Sequence, residues 1–377
     1  MRWRRLFMVL ALVACLVTCA GPQAGLLNVT HPAKEADQIT LIAATTRAPV
    51  EDPSVLYGGE RGTSVSYTRI GISVPPNRKA GTLELPRRSP GDPERTFAAT
   101  SVTPIKREDV AAAFRAPGVH KRRAFVFVHG YSTTFDRAVF RFAQLVHDSD
   151  ADAVPILFSW PSRGRFLDYK RDLDNASYSR SDLANLLEAA IDSQSINEVV
   201  VLAHSMGAWL TVEAIRQVAL RRGGVPSKVS SLILASPDLD VGVFRRQVED
   251  MGPNRPKITI FVARNDLALR LSRFIARGDA RLGGIDPSQE DYRKALSDLQ
   301  GVTVLDLSAL SSGDRVNHAL FATSPEAVRL IGDRLVQGQQ ISDADVARPT
   351  TAVDAIGAAA TFAVAAPILI FDMATSQ

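Results

Sequence analysis

From residue 124 onward the chain alternates between short apolar runs and longer amphipathic stretches, and that rhythm leaves few folds open. Ala124–Val128, Val154–Trp160, Asn197–Ala203, Val229–Ala235, Lys257–Ala263 and Val302–Leu307 are mainly apolar runs with β-branched residues. Strands buried on both faces of a parallel sheet require such runs, because neither face meets water. Helical stretches separate them, at about 136–148, 176–194, 206–222, 240–251, 266–277 and 323–337. The pattern predicts an α/β fold with a mostly parallel, doubly wound sheet and flanking helices. Upstream, Ile39–Ala43 and Ile70–Val74 read as short strands, and the Pro-, Gly- and Arg-rich residues 75–96 as a loop.

One of these strands ends on a chemical motif. Val199-Val200-Val201-Leu202 runs into Ala203-His204-Ser205-Met206-Gly207, and a helical pattern follows at once. This is the strand–nucleophile–helix elbow G-x-S-x-G with Ala203 in the first small position. A serine held in a strained turn projects its hydroxyl above the sheet. The residues two before and two after must be small, because strand and helix approach closely there. The helix that begins after the serine aims its first N–H groups, and the positive end of its dipole, at the charge that develops during acyl transfer. His204 sits inside the motif but is adjacent to the nucleophile, so it reads as a packing or hydrogen-bonding residue.

In an α/β-hydrolase fold the triad runs serine, acid, histidine along the chain. Of the six histidines only His318 follows Ser205, and it lies about ten residues beyond the last strand. His318 is therefore the expected base. Two acids compete. Asp266 follows the strand Lys257–Ala263, and Asp238 follows Val229–Ala235, both at the sheet edge where α/β sites gather. Asp266 is preferred and Asp238 is the alternative. Either would accept the second imidazole N–H and stabilise the imidazolium. The run Phe125-Val126-Phe127-Val128-His129-Gly130-Tyr131 ends in a turn that supplies an oxyanion-hole donor in such enzymes. The two expected donors are the backbone N–H groups of Tyr131 and Met206, with His129 holding the loop. Trp160 and Tyr169 are expected as walls of the substrate pocket, and Ser162–Tyr178 as a small rim too short to form a large lid.

The first residues read as an address. Met1-Arg2-Trp3-Arg4-Arg5 is basic, Leu6 to Thr18 is apolar, and Ala20-Gly21-Pro22 follows. That is the signal-peptide pattern. The stretch also resembles a bacterial lipoprotein signal, which would place a lipid on Cys19 or Cys15, the only cysteines of the chain. Export to the periplasm or cell envelope is expected, with the anchor as the route to a membrane. The expected organisation is a signal peptide at 1–19, a tether at 20–38, an α/β domain at 39–340 and an apolar tail at 341–377. Within that tail Ala355–Phe371 carries no charge. It reads as a docked helix or apolar cover, with membrane association as the alternative.

Composition narrows the function. A net charge of +4 over 377 residues, with basic residues in short pairs, gives no footprint for nucleic acid. No nucleotide- or metal-binding motif appears, so no cofactor is expected.

Several stretches together resemble a family of bacterial α/β-hydrolase-like proteins of unknown function. They are Ala44-Thr45-Thr46-Arg47, Val128-His129-Gly130-Tyr131, Phe158-Ser159-Trp160-Pro161-Ser162, Ala203-His204-Ser205-Met206-Gly207, Ala235-Ser236-Pro237-Asp238-Leu239-Asp240, Arg264-Asn265-Asp266-Leu267-Ala268-Leu269 and Asn317-His318-Ala319-Leu320-Phe321. The resemblance covers about residues 40–335 and implies Ser205, Asp266 and His318 as the triad. It implies little about substrate. The expected activity is hydrolysis of small or medium carboxylic esters through an acyl-enzyme. The alternatives are a non-catalytic envelope binding or scaffold protein on the same fold, and an acyltransferase using the same serine.

Overall fold

A computed structural model describes residues 25–115, 122–165, 167–276, 281–297, 299–310, 316–332 and 369–372. Cys15 and Cys19 lie outside the described residues, as do the signal segment and most of the apolar tail.

The strands are β1 (Gln38–Pro49), β2 (Tyr57–Ser73), β3 (Ala98–Ile105), β4 (Arg123–Val128), β5 (Val154–Ser159), β6 (Glu198–His204), β7 (Val229–Ala235), β8 (Lys257–Val262), β9 (Val302–Asp306) and β10 (Leu369–Asp372). They form one sheet in the order β10-β9-β8-β7-β6-β4-β5-β1-β2-β3. β1, β5, β4, β6, β7, β8 and β9 run parallel, while β2 is antiparallel to both its neighbours and β10 is antiparallel to β9. This is the mostly parallel, doubly wound α/β sheet that the strand–helix alternation predicts.

Alternation along single strands explains the two cores. In β4, Ala124, Val126 and Val128 enter one apolar cluster, while Phe125 and Phe127 enter the other. Phe127 stacks on Phe142 of the helix Phe135–Asp148, with ring centroids 5.4 Å apart. Every β4 side chain is buried, as a strand between two helical layers must be.

The largest departures from expectation lie at the periphery. β1 and β2 form a long hairpin rather than two short strands, and β3 completes a meander. The outer halves of β2 and β3 are exposed and polar, so they lack the apolar run that marks a buried strand. The 20–38 tether is shorter than expected: Leu27 is buried, and its N–H donates to Ser54 O at 2.8 Å. The tail contributes β10 to the sheet edge, a strand where a docked helix or cover was expected. The helix Tyr169–Asp192 begins seven residues earlier than its periodicity suggests, because polar Asp172 and Asn175 occupy its buried side.

Strand order locates the site. From β4 the chain first moves to β5 on one side, and then β6 pairs on the other side of β4. The chain reverses its direction of winding here, and in open α/β sheets the carboxyl ends of strands at such a switch are where ligand-binding loops gather. Val128 pairs with Ala203, so His129-Gly130-Tyr131 and His204-Ser205-Met206 emerge side by side.

Candidate active site

Ser205 has φ 53° and ψ −123°, a region that a residue with a Cβ rarely enters. Such strain costs about 1–3 kcal/mol and persists only when its surroundings fix it. Here three backbone bonds do so. Ser205 N–H donates to Ala235 O at 2.9 Å, and Ser205 O accepts from Ala208 N–H at 3.0 Å and Asp238 N–H at 3.2 Å. Met206 is the first residue of the helix Met206–Arg222, so its N–H has no helical carbonyl behind it.

Two glycines make the close approach possible. A Cβ on Gly207 would lie 2.3 Å from His129 O, so strand β4 and the helix after the elbow touch through backbone. A Cβ on Gly130 would lie 2.9 Å from Ser205 Cβ and 2.7 Å from His204 Nδ1. The turn after β4 is thus pressed against the elbow.

His318 is seated beside this elbow. Its ring lies 4.7 Å from that of His204, and its carbonyl accepts from His204 Nε2–H at 3.1 Å. His204 is held between His318 and Phe321. Burial, reinforced by the charge His318 can carry, keeps its pKa well below the usual histidine range. It is a packed, neutral spacer. On its other side His318 donates from Nδ1 to Asp266 Oδ2 at 2.7 Å. Asp266 is buried, and its second oxygen, Oδ1, accepts from Leu269 N–H at 2.9 Å at the start of the helix Leu267–Ala276. One carboxylate therefore caps a helix and orients an imidazole. Leu267 N–H donates to Val316 O at 3.0 Å, tying the acid's segment to the histidine's.

The two candidate acids are separated by this geometry. Asp238 accepts from Ser272 Oγ–H at 2.6 Å and Tyr169 O–H at 2.9 Å, and pairs with Arg281 at 3.2 Å. It braces the rim, and Asp266 holds the histidine.

Trp160 is a correction. It is fully buried, so it cannot be a pocket wall. Its Nε1–H donates to His129 O at 2.8 Å, and its indole stacks on the His129 ring at 5.1 Å. An aromatic residue at the end of a buried strand can turn inward or outward, and the local sequence does not say which. Tyr169 is edge-on to Tyr131 with centroids 5.4 Å apart, and its hydroxyl is engaged by Asp238 and Ser272. Burial, with the Asp238 charge beside it, pushes the Tyr169 pKa up to about 12.

Beneath the turn after β4 lies a buried polar chain. Arg47 Nε–H donates to Ser159 Oγ at 2.8 Å, and Ser159 Oγ–H donates to His129 Nε2 at 3.0 Å. His129 Nδ1–H then donates to Gly130 O at 2.9 Å. The direction is forced, because a carbonyl only accepts and a guanidinium only donates. Arg47 is fully buried and also donates to Ser162 O at 2.7 Å, Thr133 O at 2.7 Å and Gly58 O at 3.0 Å. Burial lowers its pKa to about 9, opposed by the charges of Asp172 and Asp136, so it remains a cation at neutral pH. Burial, followed by the charge of Arg47, lowers His129 to about 3, so its ring is neutral. Asp172 accepts from Ser162 Oγ–H at 2.5 Å and Ser132 N–H at 3.3 Å, fixing the next residues of the loop. Its carboxyl is raised above the usual range by desolvation. The sequence singles out Thr45-Thr46-Arg47 and Ser159-Trp160-Pro161-Ser162 only as stretches of resemblance. Their polar residues at the ends of buried strands are the signal that a network sits there.

A family described as alpha/beta hydrolase of unknown function (DUF900) matches residues 110–334. The chain belongs to this family. The chain is 38% identical over 61 residues to an uncharacterized protein of Nostoc sp., a match spanning 16% of each protein. Among solved structures it is similar to an esterase of Pyrobaculum calidifontis, at 14% identity and a TM-score of 0.34, covering 81% of this chain and 86% of that one. It is also similar to a peroxisomal alpha-beta-hydrolase of Saccharomyces cerevisiae, at 11% identity and a TM-score of 0.37, covering 86% and 95%.

Proposed function

We propose that the protein is a serine hydrolase that cleaves carboxylic esters through an acyl-enzyme, working in the bacterial cell envelope. The observation that carries this reading is the strained Ser205 elbow with the Asp266–His318 pair seated against it.

Asp266 fixes His318 with its proton on Nδ1, so proton transfer passes through Nε2. In the first step His318 takes the Ser205 proton as Oγ bonds to the ester carbonyl carbon. The tetrahedral oxyanion is met by the N–H groups of Tyr131 and Met206, each worth a few kcal/mol in the transition state. His318 returns the proton to the departing alcohol, and water then repeats the sequence on the acyl-enzyme. The Arg47–Ser159–His129 chain holds Gly130 O, which keeps the following Tyr131 N–H in place as charge develops.

The envelope location rests on the charged, apolar and small-residue order of residues 1–22. It is tested by fractionating cells that express the full chain and comparing Cys15→Ser with Cys19→Ser for loss of the lipid.

Purified protein assayed on p-nitrophenyl esters of increasing acyl length tests the reaction. The reading expects turnover in the parent and none above background in Ser205→Ala. Equal hydrolysis by both proteins would refute it.

A further inference from the structure

The helix Leu267–Ala276, which follows the Asp266 segment, carries an apolar stripe on its exposed side. Its buried side carries Leu269 and Ser272, and Ser272 is hydrogen-bonded to Asp238 and Tyr169. Its outer side carries Leu267, Leu271 and Phe274, at helical spacing i, i+4 and i+7, and Phe274 is 80% exposed. Surface helices ordinarily show the reverse, with the apolar stripe inward. Val316, 43% exposed, joins the stripe through its bond to Leu267. Leu167, 89% exposed, lies two residues before Tyr169, whose hydroxyl meets Ser272. Large apolar side chains thus gather on the rim of the Asp266–His318 pair. Arg270 and Arg273 are exposed on the same helix, which adds positive charge to an apolar face.

Two independent features place chain segments of matching character at the same edge. Gly25, where the described structure begins, lies against Ser54 in the turn between β1 and β2, and a Cβ there would be 2.1 Å from Ser54 O. That turn follows the carboxyl end of β1, which is parallel to β5, so it stands at the edge that carries the site. Cys19 is six residues ahead of Gly25, a reach of about 20 Å when extended. At the other end, β10 starts at Leu369 opposite Asp306, the last residue of β9, and the chain before it, from Ala355, is uncharged. Both apolar segments of the sequence therefore lead into the folded body at the carboxyl edge of the sheet, the edge that carries the site.

We propose that this edge of the molecule, led by Leu267, Leu271 and Phe274, rests on an anionic lipid surface and presents the mouth of the site to it. The apolar side chains enter the acyl boundary while Arg270 and Arg273 meet the headgroup phosphates, as in an interfacial amphipathic helix. A substrate lying in that layer would reach Ser205 without crossing bulk water. The surface contact itself stands independently of the hydrolase reading.

The test uses the full chain. Its only cysteines are Cys15 and Cys19, so replacing both with Ser and introducing Phe274→Cys creates a single attachment point for an environment-sensitive nitrobenzoxadiazole dye. A matched protein carries Leu220→Cys instead; Leu220 is exposed near the far end of the Met206–Arg222 helix. With vesicles of phosphatidylglycerol, the dye at 274 is expected to shift to the blue and brighten, and the dye at 220 to stay unchanged. With phosphatidylcholine alone, neither should respond. Arg270→Ser with Arg273→Ser should weaken the response about 30-fold in apparent affinity. Hydrolysis of a water-soluble ester should be retained by the labelled proteins, so loss of turnover alone would bear on Ser205 rather than on this surface. Equal responses at 274 and 220, or none at 274, would overturn the proposal. A 274 dye already blue without lipid would do so too. Reversal on dilution would then identify a second copy as the cover, and reversal on removing residues 341–377 would identify the chain's own tail.

Discussion

The buried imidazole of His129 should make the protein acid-sensitive by an amount that can be worked out. Its pKa falls from about 6.5 unfolded to about 3 in the fold, because burial, and then Arg47, disfavour the charged ring. A depressed folded value means the unfolded chain binds the proton first. The stability is fully present above pH 6.5 and is lost as the pH falls from there toward 3. Between pH 7 and pH 5 the loss from this one group is about 2 kcal/mol. That figure is set by the unfolded value, since the folded one lies well below pH 5. His129→Asn removes the titration and keeps an amide N–H near the position of Nδ1, where it can still reach Gly130 O. The assay is urea unfolding at pH 7 and pH 5, followed by far-UV circular dichroism. The variant starts less stable at pH 7, yet it should lose about 2 kcal/mol less than the parent on going to pH 5. His204 is buried and neutral in both proteins, so its contribution cancels. Parallel losses in the two proteins would show that His129 takes up its proton without unfolding and would refute the argument.

Other expectations follow from the same geometry. Asp266→Asn should lower kcat by about 10⁴, because the imidazole loses the partner that sets its tautomer, whereas Asp238→Asn should change kcat by less than about tenfold; esterase assays of both settle it. Gly207→Ala places a methyl 2.3 Å from His129 O and should cost at least about 2 kcal/mol, read as a fall in Tm. Arg47→Met leaves the carbonyls of Gly58, Thr133 and Ser162 without their buried donor and should cost about 3–5 kcal/mol in denaturant unfolding.

Much of the interior was legible because burial on both faces leaves a plain mark. Val199–Leu202 and Leu232–Ala235 carry only apolar side chains, all buried, and Ser205 with two small flanking residues permits little besides an elbow. His318 could be found by chain order alone. The choice of acid could not be made that way, since Asp238 and Asp266 follow adjacent strands and resemble each other locally. What separates them is where Ser272, Tyr169 and Arg281 come to lie, and those residues are scattered along the chain. The Arg47 network was hidden for a related reason. An arginine at the end of a strand reads as a surface charge until Ser159, Ser162 and Thr133 are seen to enclose it. Trp160 shows the opposite failure, because an aromatic residue after a strand suggested a pocket wall and the fold used it as a brace.

The claim on which the account depends is that Ser205 is an activated nucleophile. Incubation with a fluorophosphonate probe, followed by intact-mass and peptide mapping, tests it directly. The account predicts one covalent adduct on Ser205, absent from Ser205→Ala and slowed in Asp266→Asn. A protein that stays unlabelled, or one labelled on another serine, would contradict it.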